Sequence, residues 1–194
     1  MMIFLQLWGA TLFLLNKIFF SLAERSGSDL SCKKWRIQAW IVYLIGLPPW
    51  VIILISEKNW IAASVEASGA PAMLTGLMIA IKGHGNAPKW LDHLAVLGVA
   101  GGLGLSLVDN DGLNSITQIL ELGVAAGFLL GTYYSAKQSF SGYYWLMFGS
   151  ITCGALMGLQ GYPLLMFQQF VSLALIMDAQ RAKKLRLKSL NLLS

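Results

Sequence analysis

Long apolar runs dominate the chain, and short polar stretches divide them into seven segments: 2–23, 37–56, 60–82, 91–108, 115–135, 142–160 and 162–180. Each has about the 17–23 residues that an α-helix rising ~1.5 Å per residue needs to cross a hydrocarbon core. The pattern predicts an all-α polytopic membrane protein with seven transmembrane helices. The third segment opens with Asn59-Trp60-Ile61-Ala62-Ala63-Ser64-Val65-Glu66-Ala67-Ser68-Gly69-Ala70-Pro71, which puts a carboxylate, hydroxyls and a proline inside an expected span. A charge held away from the headgroups costs roughly 2.5–3.5 kcal/mol, so Glu66 is expected to face a bundle interior. Pro71 lacks an amide donor and crowds the carbonyl of Ala67, so a kink is expected just below Glu66. Pro48-Pro49 marks a second expected kink and a candidate hinge in span two.

The pattern also repeats. Leu5-Gln6-Leu7 and Phe13-Leu14-Leu15 of span one match Leu120-Glu121-Leu122 and Phe128-Leu129-Leu130 of span five. After one gap, Phe19-Phe20-Ser21 falls on Tyr133-Tyr134-Ser135. Trp60 to Glu66 in span three aligns with Tyr162 to Gln168 in span seven, an aromatic opening each and a polar residue following at the same offset. The order one-two-three against five-six-seven predicts two parallel three-helix bundles joined by an inverting fourth helix, 3+1+3. The expected units are a first repeat over 1–83, a linker helix over 84–113, a second repeat over 114–182 and a basic tail over 183–194.

In this register Glu66, Gln168, Glu121 and Gln6 occupy one layer of the membrane, with Glu66 about 9 Å inside at ~1.5 Å per residue. Gln118 and Ser115 extend the Glu121 face by helical spacing, and Ser172 lies one turn beyond Gln168. These side chains are either hydrogen-bonding groups for a solute or interhelical links. Trp60 and Tyr162 would cap the site, and Trp145 is a further aromatic contact, although aromatic residues near span ends also form interfacial belts. Asn16-Lys17 is the other polar pair in a span; Lys17 is expected to snorkel to the nearer interface, the alternative being a counter-ion for a carboxylate.

Composition agrees with a membrane chain: 56% of the 194 residues are apolar and 12% charged, where soluble domains carry about 25% charged residues. Twelve of the lysines and arginines fall in one set of loops and the tail, against Lys58 alone in the other set. By the positive-inside rule the N-terminus is outside and the C-terminus cytoplasmic. This placement accounts for the net charge of +5 without nucleic acid, and the C-terminal cluster reads as an anchor at anionic lipid. The first segment lacks a basic n-region and a small-residue cleavage site, so it is expected to be retained. Cys32 and Cys153 suggest neither a disulfide framework nor a metal site.

Asp109-Asn110-Asp111-Gly112 reads as a polar turn, because the later ligands of a calcium loop are missing. Gly101-Gly102-Leu103-Gly104 lies inside an apolar span and is read as a close-packing surface, not a phosphate loop. His84, His93 and Asp92 are read as interfacial groups, with a metal site as the alternative. No cofactor is expected.

Tyr144-Trp145, Gly161-Tyr162, Gln168 and the basic end Arg181 to Lys184 resemble the last two spans of the PnuC-type vitamin transporters, within the SWEET superfamily, and the 3+1+3 layout resembles that superfamily along nearly the whole chain. Gly149 or Ser150 stands where that family has a polar amide. The resemblance implies a transporter in a bacterial inner membrane, carrying nicotinamide riboside or a similar heterocycle by facilitated diffusion and alternating access. The expected partners are a small solute and the bilayer, and a homo-oligomer is compatible with the sequence. The alternatives are a carrier of sugars or other small solutes, or a non-transporting accessory subunit. An enzyme is not expected, since no Ser/His/Asp set, paired carboxylates or metal-ligand spacing is found.

Overall fold

A computed structural model describes residues 2–56, 58, 60–83, 86–109 and 116–191. Among these residues there are helices and no strand: α1 Met2–Arg25, α2 Asp29–Ser56, α3 Trp60–Ser68, α4 Ala70–Lys82, α5 Lys89–Asp109, α6 Ile116–Ala136, α7 Ser141–Leu159 and α8 Pro163–Asn191. They follow the seven apolar segments, with the third divided into α3 and α4. Two helices outrun their segments at the basic end. Asp29 starts α2 well before Ile37, where Ser28 Oγ accepts the Ser31 N–H at 3.3 Å and serves the orphan donors of the first turn. At the other extreme α8 continues through the basic tail to Asn191. Asn59, His84, Asn110 to Gly112 and Ser115 lie outside the described residues.

Among the described residues five rods are long and apolar enough to cross a membrane: Ile3–Arg25, Asp29–Ser56, Ala62–Lys82, Lys89–Leu107 and Ile116–Ala136. Large apolar side chains such as Ile3, Leu97 and Leu164 stand 73%, 66% and 84% exposed. A surface of that kind belongs in lipid rather than water. The chain is thus built as a polytopic membrane protein.

The division of span three follows from its proline. Pro71 stands in the first turn of α4, and Gly69 forms the joint between the two helices. The Gly69 N–H reaches Glu66 O at 3.2 Å and the Met73 N–H reaches Gly69 O, also at 3.2 Å. The last residue of α3 lies against α5. A Cβ on Gly98 would fall on the Ser68 carbonyl oxygen, and one on Gly102 would fall on Ser68 Oγ. Only glycine leaves space for this approach. Gly101 and Gly104 meet nothing within 4 Å, so of the expected 101–104 cluster Gly102 makes the close contact, joined by Gly98 one turn before it. By contrast α2 runs unbroken through Pro48 and Pro49.

The rods form a closed circuit. α1 packs along α2, α2 along α3 and α4, α4 against α6, α6 along α7, α7 along α8, and α8 back against α1. α5 packs on α3, α4 and α6 and stands to one side. Lipid tails are as apolar as leucine, so close packing and polar contacts, not apolar burial alone, hold such rods together. One tight contact occurs twice. A Cβ on Gly46 of α2 would sit 2.9 Å from Phe13 Cδ1 of α1, and one on Gly149 of α7 would sit 3.0 Å from Phe128 Cδ1 of α6. Trp40 of α2 is buried with Ala80 of α4, as Tyr143 of α7 is buried with Ala179 of α8.

Candidate functional site

Glu66 lies on the last turns of α3, partly buried. It is near enough to Tyr43 on α2 and Cys153 on α7 to act on both electrostatically. Both of those side chains are buried, so Glu66 faces the inside of the circuit as its insertion cost requires. Among the described residues its carboxylate has no hydrogen-bond or ion-pair partner. Gln168 on α8 is also partly buried and without such a partner among the described residues. However, α3 and α8 do not pack along one another, so these two groups are not joined directly. Glu121, Gln118 and Trp145 are partly buried, Trp145 edge-to-face with Phe148 at 6.0 Å between centroids. Gln6, Trp60 and Tyr162 are exposed. The expected single layer is therefore not a contiguous cluster: Glu66 turns inward while Gln6 does not.

Lys17 does not snorkel. It is 8% exposed, with its Nζ 5.2 Å from the centre of the Tyr43 ring, and makes no hydrogen bond or ion pair among the described residues. The neighbouring Asn16 is fully buried and donates to the Ala39 carbonyl at 3.0 Å, which fixes α1 against α2. Tyr43 Oη in turn shares a hydrogen bond with Thr132 Oγ1 of α6 at 3.1 Å.

A second polar group lies two turns further along α1. Glu24 is 4% exposed and accepts from Arg36 Nη2 at 2.8 Å and from the Tyr143 hydroxyl at 3.0 Å. Arg36 also donates Nη1 to Gln138 Oε1 at 2.7 Å. Lys183 donates to the Gln138 carbonyl at 2.6 Å and lies 5.3 Å from the Tyr143 ring centre. Gln138 holds φ of 56°, the left-handed region that non-glycine residues seldom adopt. Arg36 and Lys183 grip both its side chain and its backbone and hold that turn. Burial pushes the Lys183 ammonium pKa below its usual value.

These residues, with Lys17, Phe20, Trp40, Ala80, Ser135 and Ile176, surround a cavity of about 30 Å³, room for a water molecule or two. None of the eight candidate solute contacts from the sequence lines it. The charges that do line it were legible by register. Lys17 and Glu24 are seven apart on α1, and Arg36, Trp40 and Tyr43 share one face of α2. Loop counting hides that signal, because it treats Arg36 and Lys183 as topology markers.

Among the described residues three further ion pairs lie at the same end. Arg25 pairs with Asp178, which also accepts from Ser21; Arg186 pairs with Asp29; Lys137 pairs with Asp92 at 2.9 Å. Asp92, offered by the sequence as a group beside His93, is thus engaged by Lys137, while His93 Nδ1 lies 2.7 Å from the Lys89 carbonyl. Cys32 and Cys153 are both free. No protein-family model, curated protein or solved structure matches the chain.

Proposed function

We propose that the chain is a membrane transporter for a small polar metabolite, moved through the centre of the helical circuit by alternating access. The observation that carries this reading is Glu66, a carboxylate at membrane depth, beside a helix break, turned inward and without a partner. A group of that kind is costly to keep, and a solute or ion pathway is the usual reason for it. The broken helix supports the same reading, since irregular backbone at membrane depth is tolerated where it lines a protein-buried path.

In this reading the circuit is two parallel three-rod bundles, with α5 as the inverting connection. The doubled Phe13–Gly46 and Phe128–Gly149 contacts support the repeat, because both phenylalanines hold the same place in the Leu-Gln/Glu-Leu to Phe-Leu-Leu register. α7 and α8 would then be the sixth and seventh spans. The N-terminus would be outside, the basic end cytoplasmic and the membrane a bacterial inner one. A vitamin or nucleoside-like heterocycle is the solute class that the PnuC resemblance implies, with nicotinamide riboside as its example. The ion pairs at the basic end close the path on that side.

Thermal unfolding of the detergent-purified protein, measured against vitamins, nucleosides and sugars, tests this. A bound solute at a hundredfold excess over Kd should add about 2.7 kcal/mol. Glu66→Ala should abolish the response and Gln168→Ala weaken it. No shift across the panel, with both variants merely less stable, would identify an accessory protein.

A further inference from the structure

The charges around the inner cavity do not balance. Lys17, Arg36 and Lys183 line it, and Glu24 is the one carboxylate among its lining residues. Glu24 is already engaged by Arg36 and Tyr143, and Lys183 by the Gln138 carbonyl. Lys17 is more than nine-tenths buried, borders the cavity and donates to no oxygen among the described residues. Its ammonium lies over the Tyr43 ring face, a contact worth roughly 0.5–2 kcal/mol. A buried cation is normally paired; among the described residues Lys17 has no counter-charge, and its side chain also lines the cavity.

We infer that this cavity is an anion subsite, in which the Lys17 ammonium receives the carboxylate of the transported solute. Arg36 and Lys183 supply the surrounding positive field, and Glu24 keeps Arg36 turned towards Gln138 rather than towards the solute. The inference rests on the transport reading above and narrows its solute. A fixed positive charge, such as the pyridinium of nicotinamide riboside, is repelled here, so acidic metabolites fit better than cationic ones. At about 30 Å³ the cavity admits the charged group and not the ring or chain that carries it. The body of the solute would therefore lie outside this cavity.

The test uses small probes that need no knowledge of the whole solute. Delipidated protein in detergent is titrated with sodium acetate or with acetamide, its neutral counterpart of similar size. Bulky sodium gluconate holds the ionic strength constant. Acetate should raise the unfolding midpoint saturably, by about 3–6 °C at a tenfold excess over Kd, and acetamide should not. Lys17→Met should lose the acetate response while unfolding, without any anion, at or above the wild-type midpoint, because an unpaired buried cation has been removed.

Equal responses to acetate and acetamide would overturn the inference, as would an acetate response that survives in Lys17→Met. So would a Lys17→Met protein that is much less stable without anion, which would make Lys17 a packing residue. A response to phosphatidylglycerol and not to acetate would assign the subsite to a lipid headgroup and also overturn the proposal. The two readings fail separately. A Lys17-dependent acetate response with no stabilising solute leaves the anion subsite and removes the transporter. A neutral solute acting through Glu66, with acetate inert, does the reverse.

Discussion

Replacing Glu24 with leucine should destabilise the protein by about 3–5 kcal/mol, the cost of leaving a buried charge without its partner. Arg36 would keep Gln138 and lose the carboxylate, while the Tyr143 hydroxyl would lose its acceptor in the same step. The side chains of Glu24 and Arg36 are 3% and 17% exposed, so water does little to compensate. Pairing the change with Arg36→Met should recover most of the loss, since an apolar pair of similar size can replace a buried ion pair at little cost. Unfolding in detergent of the two single variants and the double variant measures the coupling directly. A Glu24→Leu protein as stable as wild type would mean that the ion pair contributes nothing in the folded state. The same change at the Arg25–Asp178 pair, whose side chains are 61% and 31% exposed, should cost no more than about 1 kcal/mol.

A comparable loss is expected from Gly127→Leu. A Cβ there would fall on the Gly149 backbone, and Gly149 itself packs on Phe128. Overpacking against movable side chains costs about 1–3 kcal/mol. Against backbone no rotamer relieves it, so α6 and α7 must separate along their length. The expected result is little or no folded protein after purification. Gly101→Leu is the matched control: nothing lies within 4 Å of its Cβ position, and a surface change of that kind stays within about 0.5 kcal/mol. Equal yields of the two variants would show that the α6–α7 contact is looser than its geometry.

The helices were legible because a bilayer imposes a length, and an apolar run either reaches it or does not. Glu66 was legible for a similar reason, since a carboxylate within such a run needs an explanation in any fold. The break below it followed from the missing amide of Pro71, although the Pro48-Pro49 pair, which removes two, leaves α2 unbroken. The inner charged group was not legible from hydropathy. A charge in a loop and a charge one turn inside a helix end look alike when only their position along the chain is counted. Arg36 turns inward because Glu24 and Gln138 both receive it, and that pairing spans 12 residues in one direction and 102 in the other. Lys17 stays inside because snorkelling needs lipid beside the helix, whereas the Tyr43 ring occupies that space. The repeat register did contain a clue. Carried on from Phe19-Phe20-Ser21 against Tyr133-Tyr134-Ser135, it sets Glu24 opposite Gln138, the two side chains that Arg36 bridges.

The glycine face of α5 has a mechanical consequence. With Gly98 against the Ser68 carbonyl and Gly102 against its hydroxyl, α3 has no clearance to slide along α5. Because α5 packs on α4 and α6 as well as on α3, it braces the Gly69 joint from both sides. The helix that stands to one side of the circuit is in that sense a splint across the break in span three.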